Sequence, residues 1–228
     1  MEEVDILFCK NMEEYMEKIN IHCIMGKSGC GKSTVYNELI NDRRLVPIVP
    51  YTTRPKRPGE VEGETYYFID SKKMDQMRKD NKIVAYTSYE TAAGLWEYAF
   101  AYDFDKSGDY VAVITPEQYQ QFYQYIEKNH LSNKISLHPH LICANEEERI
   151  AHIISRERLS DNPNYKEICR RILTDKMDFS ETKLKENLMR DYYMIDRIRN
   201  DYKRTTPDRL AGAIKVEIKA IKIEEGSI

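Results

Sequence analysis

Gly26, Lys27, Ser28, Gly29, Cys30, Gly31, Lys32, Ser33 and Thr34 are the residues whose types and spacing promise chemistry, for together they fit G-x-x-x-x-G-K-[ST]. Glycines let a backbone curl until successive N–H groups converge on a phosphate, and the start of a following helix adds partial positive charge. On this reading Gly26, Ser28, Gly29, Cys30, Gly31, Lys32, Ser33 and Thr34 line a nucleoside-triphosphate site. Lys32 bridges the β- and γ-phosphates, and the Ser33 hydroxyl is the candidate ligand for Mg²⁺. A chance match is expected in on the order of one chain in a hundred of this length. Cys30 reads as a small loop-filler and not as a nucleophile.

A second basic cluster follows. Arg54 and Arg57 lie three residues apart among Pro55 and Pro58, whose rings fix φ and stiffen the turn. Two guanidinium forks on a stiff loop suit a phosphate dianion, and the Tyr66 phenol adds a donor. Taken alone, the same residues would make an ordinary solvated turn. His138-Pro139-His140 lacks a third nearby His or Cys, which favours a structural or surface role over a metal site. The 17 tyrosines fall mostly at strand-like or amphipathic positions, which favours core and rim packing.

The elements that must hold these residues alternate in the manner of βαβ units around a mainly parallel sheet. Residues 1–18 read as a helical preface, with Met12, Tyr15, Met16 and Ile19 at helical spacing. Strands are predicted at 19–25, 45–49, 110–114, 137–143 and 194–198. Helices are predicted at 33–41, from Thr115-Pro116 to about 128, from Asn145, from 166 to 190, and at 207–223. Between residues 50 and 102 the pattern changes to Tyr-rich strand-like pieces (66–69, 83–88, 96–102) around one small helix at 72–79 that Ser71 would cap.

Composition narrows the function. Lys and Arg total 35 against 38 Asp and Glu, so any anion site is local and nucleic acid is not an expected partner. The five scattered cysteines form no Cys-x-x-Cys pair and suit a reducing compartment. The acidic Met1-Glu2-Glu3-Val4-Asp5 start lacks signal-peptide order, and no apolar run is long enough to span a bilayer, so a cytoplasmic protein without membrane contacts is expected.

From Thr52 onward the chain resembles the guanylate kinase family, whose phosphate loop is followed by T-T-R-x-x-R-x-G-E-x-x-G-x-x-Y-x-F. Thr52, Thr53, Arg54, Arg57, Gly59, Glu60, Gly63, Tyr66 and Phe68 match. The resemblance implies an α/β, P-loop NTPase three-layer fold over 19–225, with a core of 19–49, 103–147 and 190–225. It implies an inserted β-rich segment for a nucleoside monophosphate at 50–102 and a helical lid at 148–172. The implied reaction is transfer of the ATP γ-phosphoryl group, with Mg²⁺, to GMP, dGMP or a related nucleotide, by a monomer or homodimer.

By resemblance, Lys32, Arg158 and Arg171 are catalytic and Asn200 lies near the adenine. Arg54, Arg57, Tyr66 and, more loosely, Tyr98 bind the acceptor phosphate. The guanine-reading positions depart from the family: Pro50, Phe100 and Thr115 stand where polar readers are expected, and Glu90 takes the glutamate's place only by a shifted register. The strand 110–114 lacks the family's acidic residue, which leaves Asp103, Asp105 or Asp109 as aids to the metal. Two alternatives stay open: a non-catalytic phosphoprotein-binding module, and a kinase for another nucleotide or phosphate acceptor. A GTPase is disfavoured because Asn81-Lys82 and Asn133-Lys134 are not followed by x-Asp.

Overall fold

A computed structural model describes residues 18–41, 45–57, 59–91, 93–102, 107–160, 162–193, 195–201 and 205–224. Residues 1–17 of the preface, Pro58, Asp103, Asp105 and Met194 lie outside the described residues.

In chain order the elements are β1 (Ile19–Met25), α1 (Lys32–Asn41), β2 (Val46–Pro47), β3 (Tyr51–Thr52), β4 (Tyr67–Phe68), α2 (Ser71–Lys79), β5 (Ile83–Thr91), β6 (Gly94–Ala101) and β7 (Gly108–Val113). There follow α3 (Pro116–Lys128), β8 (Ile135–Ala144), α4 (Glu146–Arg158), α5 (Tyr165–Asp178), α6 (Glu181–Leu188), a short 3-10 turn (Met189–Tyr193), β9 (Asp196–Asn200) and α7 (Pro207–Glu224).

Five strands form a parallel sheet in the order β2-β7-β1-β8-β9. β1 is central, and all seven of its residues are buried, as expected of a strand covered on both faces. Alternation along it builds two cores. Ile19, Ile21, Cys23 and Met25 meet Tyr119, Phe122 and Ile126 of α3, while Ile24 meets Val35 and Leu39 of α1 and Leu210 and Ile214 of α7. On that second face the His22 ring stacks on His138 and His140, with centroids 5.0 and 5.3 Å apart. His138 and His140 are therefore part of sheet packing, which agrees with a structural role.

Residues 51–101 make a second sheet, β4-β3-β6-β5, in which β3/β6 and β5/β6 are antiparallel. The register puts Thr52, Phe68, Thr87 and Tyr98 on one face and Tyr51, Tyr67, Tyr86 and Ala99 on the other.

Several boundaries correct the sequence reading. Asp70, not Ser71, caps α2, because its carboxylate accepts from the Lys73 amide at 2.7 Å. The helix expected over 166–190 is two helices, since the Ser180 hydroxyl accepts from the Lys183 amide and starts α6 afresh. The strand expected over 45–49 is only Val46–Pro47. The Thr115 and Asn145 caps stand where expected, the first as a full capping box with Gln118. Among the described residues no helix is long and apolar enough to cross a membrane.

Candidate functional site

The phosphate loop leaves β1 at its buried end and enters α1 at Lys32. Gly29 has φ +77° and Gly31 φ +102°, a region that side chains disfavour. A Cβ at Gly29 would sit 2.6 Å from Ile153 Cγ1, and one at Gly31 would sit 2.7 Å from Asn200 Nδ2. The glycines therefore serve curvature and close approach together. Lys32 Nζ curls over the loop and donates to the carbonyls of Gly26 and Lys27 at 2.7 and 3.0 Å. Cys30 is buried, and burial raises its thiol pKa, which leaves it protonated and filling space.

Beside the loop lies a cavity of about 190 Å³. Gly29, Gly31, Lys32, Ser33 and Thr34 form its floor, and His152, Arg156, Asn200, Thr205, Pro207 and Leu210 complete it. Asn200 is buried and donates to the Cys30 carbonyl at 2.9 Å, so it braces the loop as well as lining the cavity. Arg156 and Arg158 are both exposed, and of the two only Arg156 is among the lining residues. Two helical residues are a turn of about 200°. His152 and Arg156, four apart, share the face toward the loop, a phase that buried Ile153 would have revealed.

The acceptor-side cluster is built from side chains. Arg54 is 4% exposed, and its guanidinium donates to both oxygens of Glu60 and to the Pro55 carbonyl. The other face of the fork lies 4.7 Å from the Tyr66 ring centroid. Glu60 also accepts from the Arg57 amide at 2.8 Å, which closes the turn and aims Arg57 over the Trp96 ring. Burial works to raise the Glu60 pKa, but the Arg54 and Arg57 contacts outweigh it and hold the carboxyl below its ordinary value. Burial lowers the Arg57 pKa, and the nearby charges of Arg171 and Arg54 lower it further. Tyr66, Tyr98 and Tyr89 form an edge-to-face series, with centroids 6.0 and 5.9 Å apart. Burial, then the charge of Asp178, pushes the Tyr89 pKa up to about 12.

Tyr36 of α1, one turn past the phosphate loop, is half-buried, and burial, then the charge of Tyr66, raises its pKa. Arg171 reaches the acceptor side from α5 while bonded to Glu167 at 3.1 Å. Arg170 of the same helix lies 5.3 Å from the Tyr89 centroid.

The remaining candidates fall elsewhere. Glu90 is exposed near the β5–β6 hairpin tip and lines a crevice of about 370 Å³ with Trp96, Lys166 and Arg170. Its register, opposite Leu95, alternates away from the face that carries Thr87 and Tyr98. Glu97 is buried on that opposite face, bonded to Arg78 and, at 2.9 Å, to the Tyr86 hydroxyl. Phe100 packs edge-on against Phe122 in the core, and its cross-strand partner Ala85 is buried beside it. Asp109 pairs with Asn20, accepting from its amide at 3.2 Å, at the end of β1 remote from the loop. Five residues of strand, roughly 16 Å, separate it from Met25. This corrects Asp109 as an aid to the metal.

Comparison with known proteins agrees with this geometry. The guanylate kinase family model matches residues 18–94. The guanylate kinase of Thermobifida fusca is 42% identical over 67 residues, 29% of this chain and 34% of that protein. That of Coxiella burnetii is 37% identical over 81 residues, 35% and 39% of the two chains. The chain thus spans about a third of the length of the curated relatives it matches. A crystal structure of guanylate kinase from Anaplasma phagocytophilum superposes with a TM-score of 0.52 at 18% identity, covering 89% of this chain and 88% of that one. These findings support the guanylate kinase family, in sequence through residues 18–94 and in fold, a P-loop three-layer α/β architecture, through most of the chain.

Proposed function

We propose that this guanylate kinase relative is an ATP-dependent phosphotransferase that moves the γ-phosphoryl group to a nucleoside monophosphate. What supports this reading is that one chain carries two candidate anion-binding clusters, one of loop backbone and Lys32, the other of Arg54, Arg57 and Tyr66. Arg171 adds a cation near Arg57 from a third element.

The reaction needs no covalent intermediate, so positioning and charge neutralisation carry the rate. Lys32 leaves its carbonyl partners for the β- and γ-phosphates. Arg54, already locked by Glu60, presents its remaining edge to the acceptor phosphate with Arg57 and the Tyr66 and Tyr98 phenols. Arg171 and Arg156 face the transferring group as the 148–172 segment closes over the 50–102 insert, excluding water. Arg158, exposed here, enters only if closure rotates α4. Mg²⁺, held mainly by substrate phosphates and water as this ion prefers, fits a donor set of one hydroxyl, that of Ser33, and would neutralise charge on the phosphates. Ala85 and Phe100 are buried in the core and offer the acceptor's base no polar reader, and Glu90 is exposed on the other face of the sheet from Tyr98, so selectivity among bases is expected to be shallow.

A coupled assay with ATP and GMP, dGMP, AMP, CMP, UMP and dTMP tests the reading. Turnover with GMP and at least one other base within about 100-fold is expected. ATP binding without turnover on any acceptor would overturn it in favour of a binding module.

A further inference from the structure

Four hydrogen bonds converge on or around Ser28, and all come from the two helices that follow β8. Asp175 of α5 accepts from the Ser28 amide at 2.9 Å and from the Ser28 hydroxyl at 3.1 Å. Arg149 of α4 donates to the Ser28 carbonyl at 2.8 Å and to Asp175 at 3.1 Å. The peptide groups on both sides of one phosphate-loop residue are thus held by side chains 121 and 147 positions away.

The pair is buried, Arg149 at 1% and Asp175 at 8% exposure. Arg149 Nε has no hydrogen-bond partner among the described residues. A buried ion pair with an unmet donor is a poor way to gain stability, and its best-attested use is to set register. The register in question is between loop and helix. Arg171 lies one helical turn before Asp175 on α5, about 6 Å along the axis, and faces the acceptor cluster. One carboxylate therefore ties the donor loop to the helix that carries a cation toward the acceptor.

We infer that Asp175 and Arg149 are positioning residues for phosphoryl transfer, fixing the Ser28 peptides and thereby the placement of Arg171 relative to the loop. This rests on the proposed kinase reading. If the pair only stabilised the fold, replacing both partners with apolar residues would leave a folded protein with normal turnover. If it positions, the same protein folds and transfers slowly, because a misplacement of about 1 Å can cost about 100-fold in rate.

The test is the double variant Arg149→Leu/Asp175→Ala of the full chain. The expected result is a Tm within about 5 °C of the parent, KM for both nucleotides within about 3-fold, and kcat lower by about 100-fold. Hydrogen exchange at the Ser28 amide should accelerate at least about 10-fold. A folded double variant with kcat within about 3-fold of the parent, or with unchanged Ser28 exchange, overturns the inference. Should the double variant not fold, the near-isosteric Asp175→Asn serves. It should lower kcat about 10-fold with both KM values held, and an unchanged kcat is equally fatal. A parent protein that transfers to no acceptor defeats the kinase reading instead, while Ser28 exchange still decides whether the pair orders the loop.

Discussion

The proposed donor and acceptor sides are both suited to phosphate, yet they are made differently. The donor side is mainly backbone, a strand, a glycine-rich loop and a helix start, over which Lys32 curls. The acceptor side is mostly side chain upon side chain, with Arg54 shaped by Glu60, the Arg57 backbone amide held by the same carboxylate, and Tyr66 beside the Arg54 guanidinium. A backbone cradle is insensitive to which residues surround it but intolerant of a Cβ in its path. A side-chain clamp tolerates local volume changes but fails when a partner is removed. Damage on the donor side should therefore lower turnover with every acceptor, whereas damage on the acceptor side should appear in acceptor KM.

Lys32→Ala should show the largest effect, lowering kcat about 1,000-fold with every acceptor, as loss of a charged transition-state donor does. Near-parental turnover would break the donor assignment. Gly31→Ala sharpens the backbone claim. Its Cβ has no room beside Asn200, so kcat should fall by about 100-fold while acceptor binding measured by calorimetry is unchanged. On the other side, Glu60→Ala should raise acceptor KM by about 10- to 100-fold with kcat nearly constant, because a charged hydrogen-bond partner of Arg54 is lost. A fall in kcat alone would erase the distinction between the two sides.

Acidification offers a gentler version of that change. The folded Glu60 pKa lies below the ordinary carboxylate value of about 4.3, so its contribution is fully present above that value. It is lost as pH falls through the lowered pKa, and acceptor affinity should decline in that window in the parent but not in Glu60→Ala. The smallest effect is one of stability. Thr115→Ala removes the α3 capping box, which should cost about 1 kcal/mol by denaturant unfolding.

The same contrast explains what was readable in advance. The phosphate loop, β1, and the Thr115 and Asn145 caps depend on residues within a few positions of one another, and each appears in the structure where its pattern placed it. The break at Ser180 was hidden because residues 166–190 keep a helical, charged composition through it, so only the cap hydrogen bond marks the new start. Arg158 and Arg156 lie in one arginine-rich stretch, and helix phase against the buried Ile153 decides that Arg156 faces the cavity. Glu60 was visible as a motif residue, but its role as the partner that locks Arg54 was not.

Sequence alone determined the chemistry of the loop, the alternation of strands and helices, and the presence of a second arginine cluster, since each follows from short-range backbone preference and residue type. Tertiary structure alone decided which charges stand free and which are spent on one another. Asp175 and Arg149 meet at Ser28, Glu97 turns to Arg78, and Asp109 sits at the far end of the sheet. Those outcomes depend on strand register, helix phase and burial, which are set by packing between segments from 19 to 147 residues apart, and local residue preferences carry no record of them.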